Sequence, residues 1–171
     1  MSYERSKAIL GIDPGFARCG FALLDGKEVN YWTCEPAGTM SEKLSWLYDI
    51  ARRTCNTHRP PVIVIEQIMF GVNKKSAMQV AQARGALLAG ISAGMSIHPY
   101  TLLEPYPVQM KKAVTGSGKA DKKMIKKYLE AILGRALPGI DDGLDGIGLA
   151  YLGQKDNENS EKLMALGNVY P

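Results

Sequence analysis

Two short apolar runs constrain the fold of this chain most. One covers residues 8–12 and ends at Asp13, and the other covers residues 62–65 and ends at Glu66. Runs that are apolar at every position are typical of strands whose two faces are both buried in a sheet. We therefore expect an α/β domain in which helices cover both faces of the sheet.

The remaining segments predict the rest of the domain. An apolar stretch at residues 19–24, the turn signal Asp25-Gly26 and the segment at residues 28–34 together indicate a hairpin. Thr39-x-x-Glu42 has the form of a capping box at the start of a helix that ends before Pro60. Further elements are expected as a helix at about residues 76–94, a strand at residues 97–103, and helices from Pro107, from Asp121 and after Pro138-Gly139. This order predicts a mixed five-stranded sheet that combines an antiparallel hairpin with parallel strands.

Composition excludes several classes of protein. The chain has 171 residues, of which 46% are hydrophobic and 22% charged, as in ordinary soluble domains. Its most apolar stretch, residues 86–97, is too short to cross a bilayer. The N-terminus lacks a signal region, and three cysteines without CxxC spacing suggest neither zinc nor disulfide bonds, so we expect a cytoplasmic protein. We expect one domain at residues 1–154 and a loosely held polar tail at residues 155–171.

Four carboxylates form the candidate chemistry. Asp13 and Glu66 follow the two buried strands, and ligand sites in open α/β sheets lie at the carboxyl ends of strands. Asp142 and Asp145 are three residues apart and share one face of the last helix; Asp141 with Asp145 is a rival register. Each acid also has an ordinary interpretation as a turn residue, a solvent-reaching strand end or a helix cap.

Taken together, these acids favour a metal site. Ionised carboxylates at one end of a hydrophobic sheet repel each other unless cations neutralise them. Ligation by carboxylate oxygens alone suits Mg²⁺ or Mn²⁺ and disfavours zinc. Two such ions clamp the attacking and leaving oxygens of a phosphodiester. The pattern therefore indicates phosphodiester hydrolysis with two Mg²⁺ ions in each active site, for which Mn²⁺ would substitute.

The positive charge is concentrated in one block. Between Gln109 and Tyr128 the chain carries seven lysines and one acid, a local charge of +6 in a chain whose net charge is +4. The lysines are Lys111, Lys112, Lys119, Lys122, Lys123, Lys126 and Lys127. Such a block is typical of a surface that binds nucleic-acid phosphates, and equally of a solvated helix face. If the four acids form an anionic metal pocket, a phosphate-binding surface beside it gives the lysines a role, which is to hold the neighbouring phosphates.

The helix expected at residues 76–94 carries a stripe of small residues spaced by four. Its members are Ala77, Ala81, Gly85, Ala89 and Ala93. A low ridge of this kind lets another helix approach closely. Two interpretations of the stripe stay open: it packs on the sheet, or it packs against a second chain.

The chain resembles a known family, the RuvC Holliday-junction resolvases. The resemblance covers about residues 8–151, and it depends on blocks that occur in the family's order and spacing. These are Ile9-Leu-Gly-Ile-Asp-Pro-Gly15, Ile65-Glu-Gln67 with Asn73 and Ser76-Ala77, Gln82-Ala-Arg-Gly85, Val114-Thr-Gly-Ser-Gly118 and Asp142-x-x-Asp145. The resemblance implies an RNase H-like fold, a homodimer, and Mg²⁺-dependent, symmetric nicking of four-way DNA junctions that leaves 5′-phosphate and 3′-hydroxyl ends.

The resemblance also implies roles for particular residues. The family's four catalytic and metal-binding acids fall on Asp13, Glu66, Asp142 and Asp145. Its two functional lysines fall on Lys111 and Lys122, and its dimer contact falls on the helix at about residues 76–94. The expected DNA contacts are Met69, Phe70, Lys74, Lys75, Lys111, Lys112, Lys119, Lys122 and Lys123. Whether a branch-migration motor delivers the junction stays open.

The chain departs from the family pattern at two places. The family commonly has an aromatic residue after its Glu-Gln pair, where it stacks on a base at the junction centre. Here that position is Met69 and the aromatic is the next residue, Phe70. Either side chain is therefore the candidate wedge, the side chain that would contact a base at the junction centre. The last helix has glycines where the family favours alanine, and each glycine costs about 1 kcal/mol of helix propensity.

Three other functions are compatible with parts of the pattern. A broader endonuclease for forks and flaps would use the same acids and lysines. A junction-binding module without activity would not need four acids. A phosphate-loop ATPase of the actin-like type would share the first motif, but its site lies between two domains and one domain of this size cannot build it.

Overall fold

The computed structural model describes residues 7–69, 74–137, 139 and 142–167, except for the side chains of Lys74, Lys75, Asp142 and residues 161–167. Five strands and five helices are present in this part of the chain. In chain order they are β1 (Ile9–Asp13), β2 (Cys19–Asp25), β3 (Glu28–Cys34), α1 (Met40–His58), β4 (Val62–Ile65), α2 (Lys74–Gly94), β5 (Thr101–Leu103), α3 (Pro107–Thr115), α4 (Lys122–Leu133) and α5 (Asp142–Gly167).

The five strands form one mixed sheet in the order β3-β2-β1-β4-β5. β2 pairs antiparallel with β1 and β3, whereas β4 is parallel to both β1 and β5. The predicted sheet and element order are therefore confirmed. The strand predicted within residues 97–103 is too long, because only Thr101–Leu103 pairs with β4 and Ile97 lies in the turn after α2, 85% exposed.

Helices cover both faces of the sheet, and the period-2 alternation of the strands divides the core in two. Leu10, Ile12, Ile63 and Ile65 point toward α1 and α2. Ile9, Val62 and Val64 are their alternate neighbours and point toward α3, α4 and α5. All seven side chains are at most 5% exposed. The two apolar runs are thus central strands, as their composition predicts.

Local signals set the helix ends. The capping box predicted at Thr39 is present, since its Oγ1 accepts from the backbone N–H of Glu42 at 3.4 Å and its own N–H donates to the Glu42 carboxylate at 2.8 Å. Asp121 caps α4, with Oδ1 accepting from Met124 N–H at 2.8 Å. Pro107 is the first residue of α3, as its fixed φ favours.

Glycines let α5 lie directly on the sheet. A Cβ atom at Gly11 of β1 would lie 2.1 Å from the backbone oxygen of Gly146 and 2.5 Å from the nitrogen of Ala150. A Cβ at Gly153 would lie 2.6 Å from a methyl carbon of Val64 in β4. The glycines that lower the helix propensity of α5 therefore allow a close approach that larger residues would prevent. This approach places the first turn of α5 beside the ends of β1 and β4.

The C-terminal polar residues continue a helix. The sequence predicts a loosely held tail from residue 155 onward, but α5 continues through residues 155–167. The domain boundary at residue 154 stays a prediction. Cys19, Cys34 and Cys55, all in the described part, are buried and form no disulfide bond. None of the helices described combines the length and hydropathy that a membrane span needs.

Candidate active site

The carboxyl ends of β1 and β4 bring the first two predicted acids together. The strands are parallel and in register, with Ile12 opposite Ile65. The pairing extends one residue further, because the Glu66 N–H donates to the backbone oxygen of Ile12 at 3.1 Å. Asp13 and Glu66 are therefore the next residues of two neighbouring strands, and both are partly buried.

The electrostatics of Glu66 show which other groups surround it. The pKa of its carboxyl is raised to about 8, first by burial and then by the negative charges of Asp13 and Asp145. The ammonium groups of Lys111 and Lys122 act in the opposite direction. Two further acids and two lysines, each from a different element, are therefore near enough to act on the Glu66 carboxyl.

Asp145 reaches this point from the second turn of α5. The start of α5 is tied to the sheet by a hydrogen bond from Gly143 N–H to Thr33 Oγ1 of β3 at 3.2 Å. The Asp145 carboxylate is 14% exposed, and its Oδ2 lies 2.7 Å from Nζ of Lys122 at the N-terminus of α4. Asp145 and Lys122 thus form an ion pair at the edge of the acid cluster.

The donor chemistry of the cluster fits a hard divalent cation. Carboxylate oxygens are the preferred protein ligands of Mg²⁺ and Mn²⁺. In the part of the chain whose side chains are described, however, no group of three or more acids, histidines or cysteines is arranged so that it could hold a metal ion. The Asp142 side chain and all of Asp141 lie outside that part, so the choice between these two registers stays a prediction.

The lysine block divides into two groups. Lys111 of α3 and Lys122 of α4 are close enough to the acids to act on Glu66. Lys112, Lys119 and Lys123 are exposed, and Lys112 lines a separate shallow groove with Glu104, Gln109 and Asp156. Lys126 pairs with Glu130 within α4. The structure therefore brings only part of the block to the acids.

The candidate wedge lies on the segment that follows Glu66. Met69, three residues after Glu66, is a large apolar side chain that is 63% exposed. Phe70 lies outside the described residues, and so do the side chains of Lys74 and Lys75 at the start of α2. The choice between Met69 and Phe70 stays a prediction.

Sequence reasoning missed one residue that contacts the site. Arg84 of α2 donates from Nε to the backbone oxygen of Glu66 at 3.0 Å, and its Nη2 pairs with the carboxylate of Glu104. Its side chain is only 11% exposed. The available signal was an arginine in a helix made mostly of small and apolar residues, within the block Gln82-Ala-Arg-Gly85.

The mixed five-stranded sheet with helices on both faces, and acids at the ends of its central strands, define an RNase H-like fold. The structure of Thermus thermophilus RuvC superposes with a TM-score of 0.73 at 22% identity, over 90% of this chain and 96% of that one. The structure of T. thermophilus RuvC in complex with Holliday junction substrate gives a TM-score of 0.71 at 20% identity, over 85% of this chain and 90% of that one. At these identities the likeness establishes the fold.

Sequence similarity establishes the family. The family profile described as "Crossover junction endodeoxyribonuclease RuvC" matches residues 9–151. The crossover junction endodeoxyribonuclease RuvC of Rubrobacter xylanophilus is 35% identical over 156 residues, which cover 86% of this chain and 84% of that protein. The chain belongs to the RuvC family of crossover junction endodeoxyribonucleases.

Proposed function

We propose that this protein resolves four-way DNA junctions by paired, symmetric, Mg²⁺-dependent nicks. The observation that carries the proposal is the meeting of Asp13, Glu66 and Asp145 with two lysines at the carboxyl ends of β1 and β4. Family membership and the likeness to a RuvC protein whose structure contains a Holliday junction support the junction as substrate. The protein would act on DNA in the cytoplasm.

On this proposal the acids hold two Mg²⁺ ions. Asp13, Glu66 and Asp145, joined by Asp142, would provide the carboxylate oxygens, and Mn²⁺ would substitute because it accepts the same ligands. Bound metal would supply Lewis-acid stabilisation of the attacking and leaving oxygens, with 5′-phosphate and 3′-hydroxyl ends as products. Burial and then repulsion by Asp13 and Asp145 raise the pKa of Glu66, and a bound cation would relieve the repulsion.

The lysines would bind and orient the DNA backbone. Lys111 and Lys122 place two positive charges beside the acids, where the phosphates next to the cleaved bond would lie. Exposed Lys112, Lys119 and Lys123, together with Lys74 and Lys75, would bind phosphates further from the cut. These longer-range contacts position the arms of the junction and carry no sequence information.

The segment after β4 would enter the centre of the junction. Apolar side chains inserted between base steps unstack them and open the duplex. Met69 is exposed next to the acids and is the first candidate wedge, with Phe70 as the second. Either side chain would hold the strands apart while the acids act on the backbone.

Paired nicks require two active sites, which a homodimer would supply. In α2, Ala81, Gly85, Ala89 and Ala93 are all exposed, and a Cβ built at Gly85 has no neighbouring atom within 4 Å. Ala77, the first member of the predicted stripe, is buried, whereas this exposed part, the outward stripe, would accept the same helix of a second chain. Delivery of the junction by a branch-migration motor would be compatible with this arrangement.

A nicking assay tests the proposal. An immobile four-way junction and a linear duplex of the same sequences are incubated with Mg²⁺ or with EDTA. We expect paired, symmetric nicks in the junction with Mg²⁺ and none with EDTA. The linear duplex should stay uncut in both. Equal cutting of forks and flaps would replace the proposal with a broader branched-DNA endonuclease. Binding without cutting would identify a junction-binding module.

A further inference from the structure

Arg84 connects α2 to the backbone that carries Glu66. Its guanidinium Nε donates to the Glu66 carbonyl oxygen at 3.0 Å, while Nη2 of the same group pairs with Glu104, the residue after β5. The arginine is 18 residues from Glu66 along the chain and 20 from Glu104. One side chain therefore ties a helix to the ends of two parallel strands.

The backbone around Glu66 is held from several directions. Its N–H donates to Ile12 of β1 at 3.1 Å, and the next N–H, that of Gln67, donates to the Pro105 carbonyl at 2.8 Å. Glu66 is the first residue after β4, and two residues separate it from the exposed Met69. The two N–H groups bond to backbone oxygens, whereas the carbonyl of Glu66 accepts from a side chain, that of Arg84.

The burial of Arg84 makes the contact strong and specific. The side chain is 11% exposed, so its charge is compensated by a carboxylate and a carbonyl more than by water. Arginine suits this position because the N–H donors of its planar guanidinium reach both acceptors at once. The compact ammonium of lysine lacks this spread of donors. Glu104 is 42% exposed and acts as the outer anchor of the fork.

We propose that Arg84 is a positioning residue, which fixes the direction of the Glu66 carboxylate by holding the Glu66 main chain. The inference depends on the proposed function, in which Glu66 is one of the metal-holding acids. Arg84 does not touch DNA or metal on this proposal. A displacement of about 1 Å at a reacting group can cost about 100-fold in rate, so a lost backbone contact has a measurable effect.

The test compares Arg84→Ala, Arg84→Lys and Glu104→Gln with a matched control. The control is Arg53→Ala, which removes another ion-paired arginine, from the exposed surface of α1. Four quantities are measured for each: the single-turnover nicking rate, junction affinity in EDTA, Mn²⁺ affinity without DNA by calorimetry, and the thermal unfolding temperature.

For Arg84→Ala we expect a nicking rate lowered by about 100-fold, Mn²⁺ affinity lowered by about 10-fold, and nearly unchanged junction affinity. Arg84→Lys should recover part of both losses, and Glu104→Gln should lose a smaller factor. If Arg84→Ala does not fold, the other two variants decide by the same criteria. The positioning role would be overturned if the Arg84 and Glu104 variants had the same nicking rate and Mn²⁺ affinity as Arg53→Ala. It would also be overturned if weaker junction binding explained the whole loss of rate.

The two proposals fail in different ways. A wild-type protein that binds Mn²⁺ but cuts nothing would refute the proposed function, and the Mn²⁺ titration alone would then test the positioning role. A wild-type protein that cuts junctions while the Arg84 variants keep full rate and Mn²⁺ affinity would refute the positioning role only. A wild-type protein that neither cuts nor binds Mn²⁺ would overturn both.

Discussion

Nζ of Lys122 lies 2.7 Å from Oδ2 of Asp145, so the N-terminus of α4 and the second turn of α5 are joined by an ion pair at the candidate site. The lysine is half exposed, whereas the carboxylate is largely buried. Such a pair contributes little to stability, because solvent screens the exposed partner. Its position beside the acids matters more for binding than for folding.

Lys122→Ala is therefore expected to change function far more than stability. The nicking rate should fall by about 10- to 100-fold, and the slope of log affinity against log salt should decrease by about 1. The free energy of unfolding should change by less than about 1 kcal/mol. Junction binding over a salt series measures the slope. The control is Lys27→Ala, in the exposed turn between β2 and β3. If the two variants have equal slopes, Lys122 is only a solvated surface residue.

Asp13→Asn should abolish nicking and leave junction binding intact or tighter. The substitution removes a carboxylate that acts on Glu66 while keeping the size of the side chain at the end of β1. Less negative charge beside the DNA favours binding of phosphates. Nicking and binding are measured on the same junction, and cutting at near the wild-type rate would contradict the role of Asp13.

Glu66 should make the metal-free protein less stable as the pH rises. Its pKa is about 8 in the folded protein against an ordinary value of 4.5, so between these values the folded state retains a proton that the unfolded chain has released. The free energy of unfolding should fall across that interval by about 2–4 kcal/mol and level off above pH 8. Denaturant unfolding in EDTA at several pH values measures this decrease.

Glu66→Gln should remove that pH dependence and make the metal-free protein more stable than the wild type above pH 8. Glu28→Gln, at an exposed position in β3, should leave the dependence unchanged. Saturating Mg²⁺ should reduce the difference between wild type and Glu66→Gln, because a cation favours the charged carboxylate. Parallel stability curves for the wild type and Glu66→Gln in EDTA would disprove the prediction.

Gly11→Ala should destabilise the domain severely. The added Cβ would lie 2.1 Å from the Gly146 oxygen, where neither backbone can yield without moving α5 off the sheet. A cost of about 3 kcal/mol or more is expected, from overpacking at a backbone contact. Ser45→Ala, at an exposed position of α1, is the control, since it leaves the core unchanged and alanine favours a helix. Equal unfolding curves for the two variants would contradict the packing of α5 on β1.

A charge on the outward stripe of α2 should prevent dimer formation. Ala89→Arg places a long cation in the middle of the stripe, where a second helix would have to approach closely. Light scattering after size-exclusion chromatography should show a dimer for the wild type and a monomer for the variant, with paired nicks lost. Ala131→Arg, on the exposed surface of α4, should remain a dimer. An unchanged mass for Ala89→Arg would place the dimer contact elsewhere.

Local patterns in the sequence determined the strands and most helix ends. Apolar runs at residues 8–12 and 62–65 predict central strands because burial on both faces leaves no room for polar positions. The capping box at Thr39 and the cap at Asp121 depend on neighbours three residues away, so short-range chemistry is sufficient to predict them. The position of Asp13 beside Glu66 follows once their strands are parallel neighbours.

Only the tertiary structure decided how distant segments meet at the site. Asp145 reaches Glu66, 79 residues earlier in the chain, because glycines allow α5 to contact β1 and β4 directly, whereas propensity alone counts those glycines as a cost. Lys111 and Lys112 are adjacent in sequence, but only Lys111 acts on the acids, since the turn of α3 directs its neighbour into another groove. Arg84 shows the same limit, because its contact with the Glu66 carbonyl depends on how α2 packs over the sheet and leaves no periodic signal in the chain.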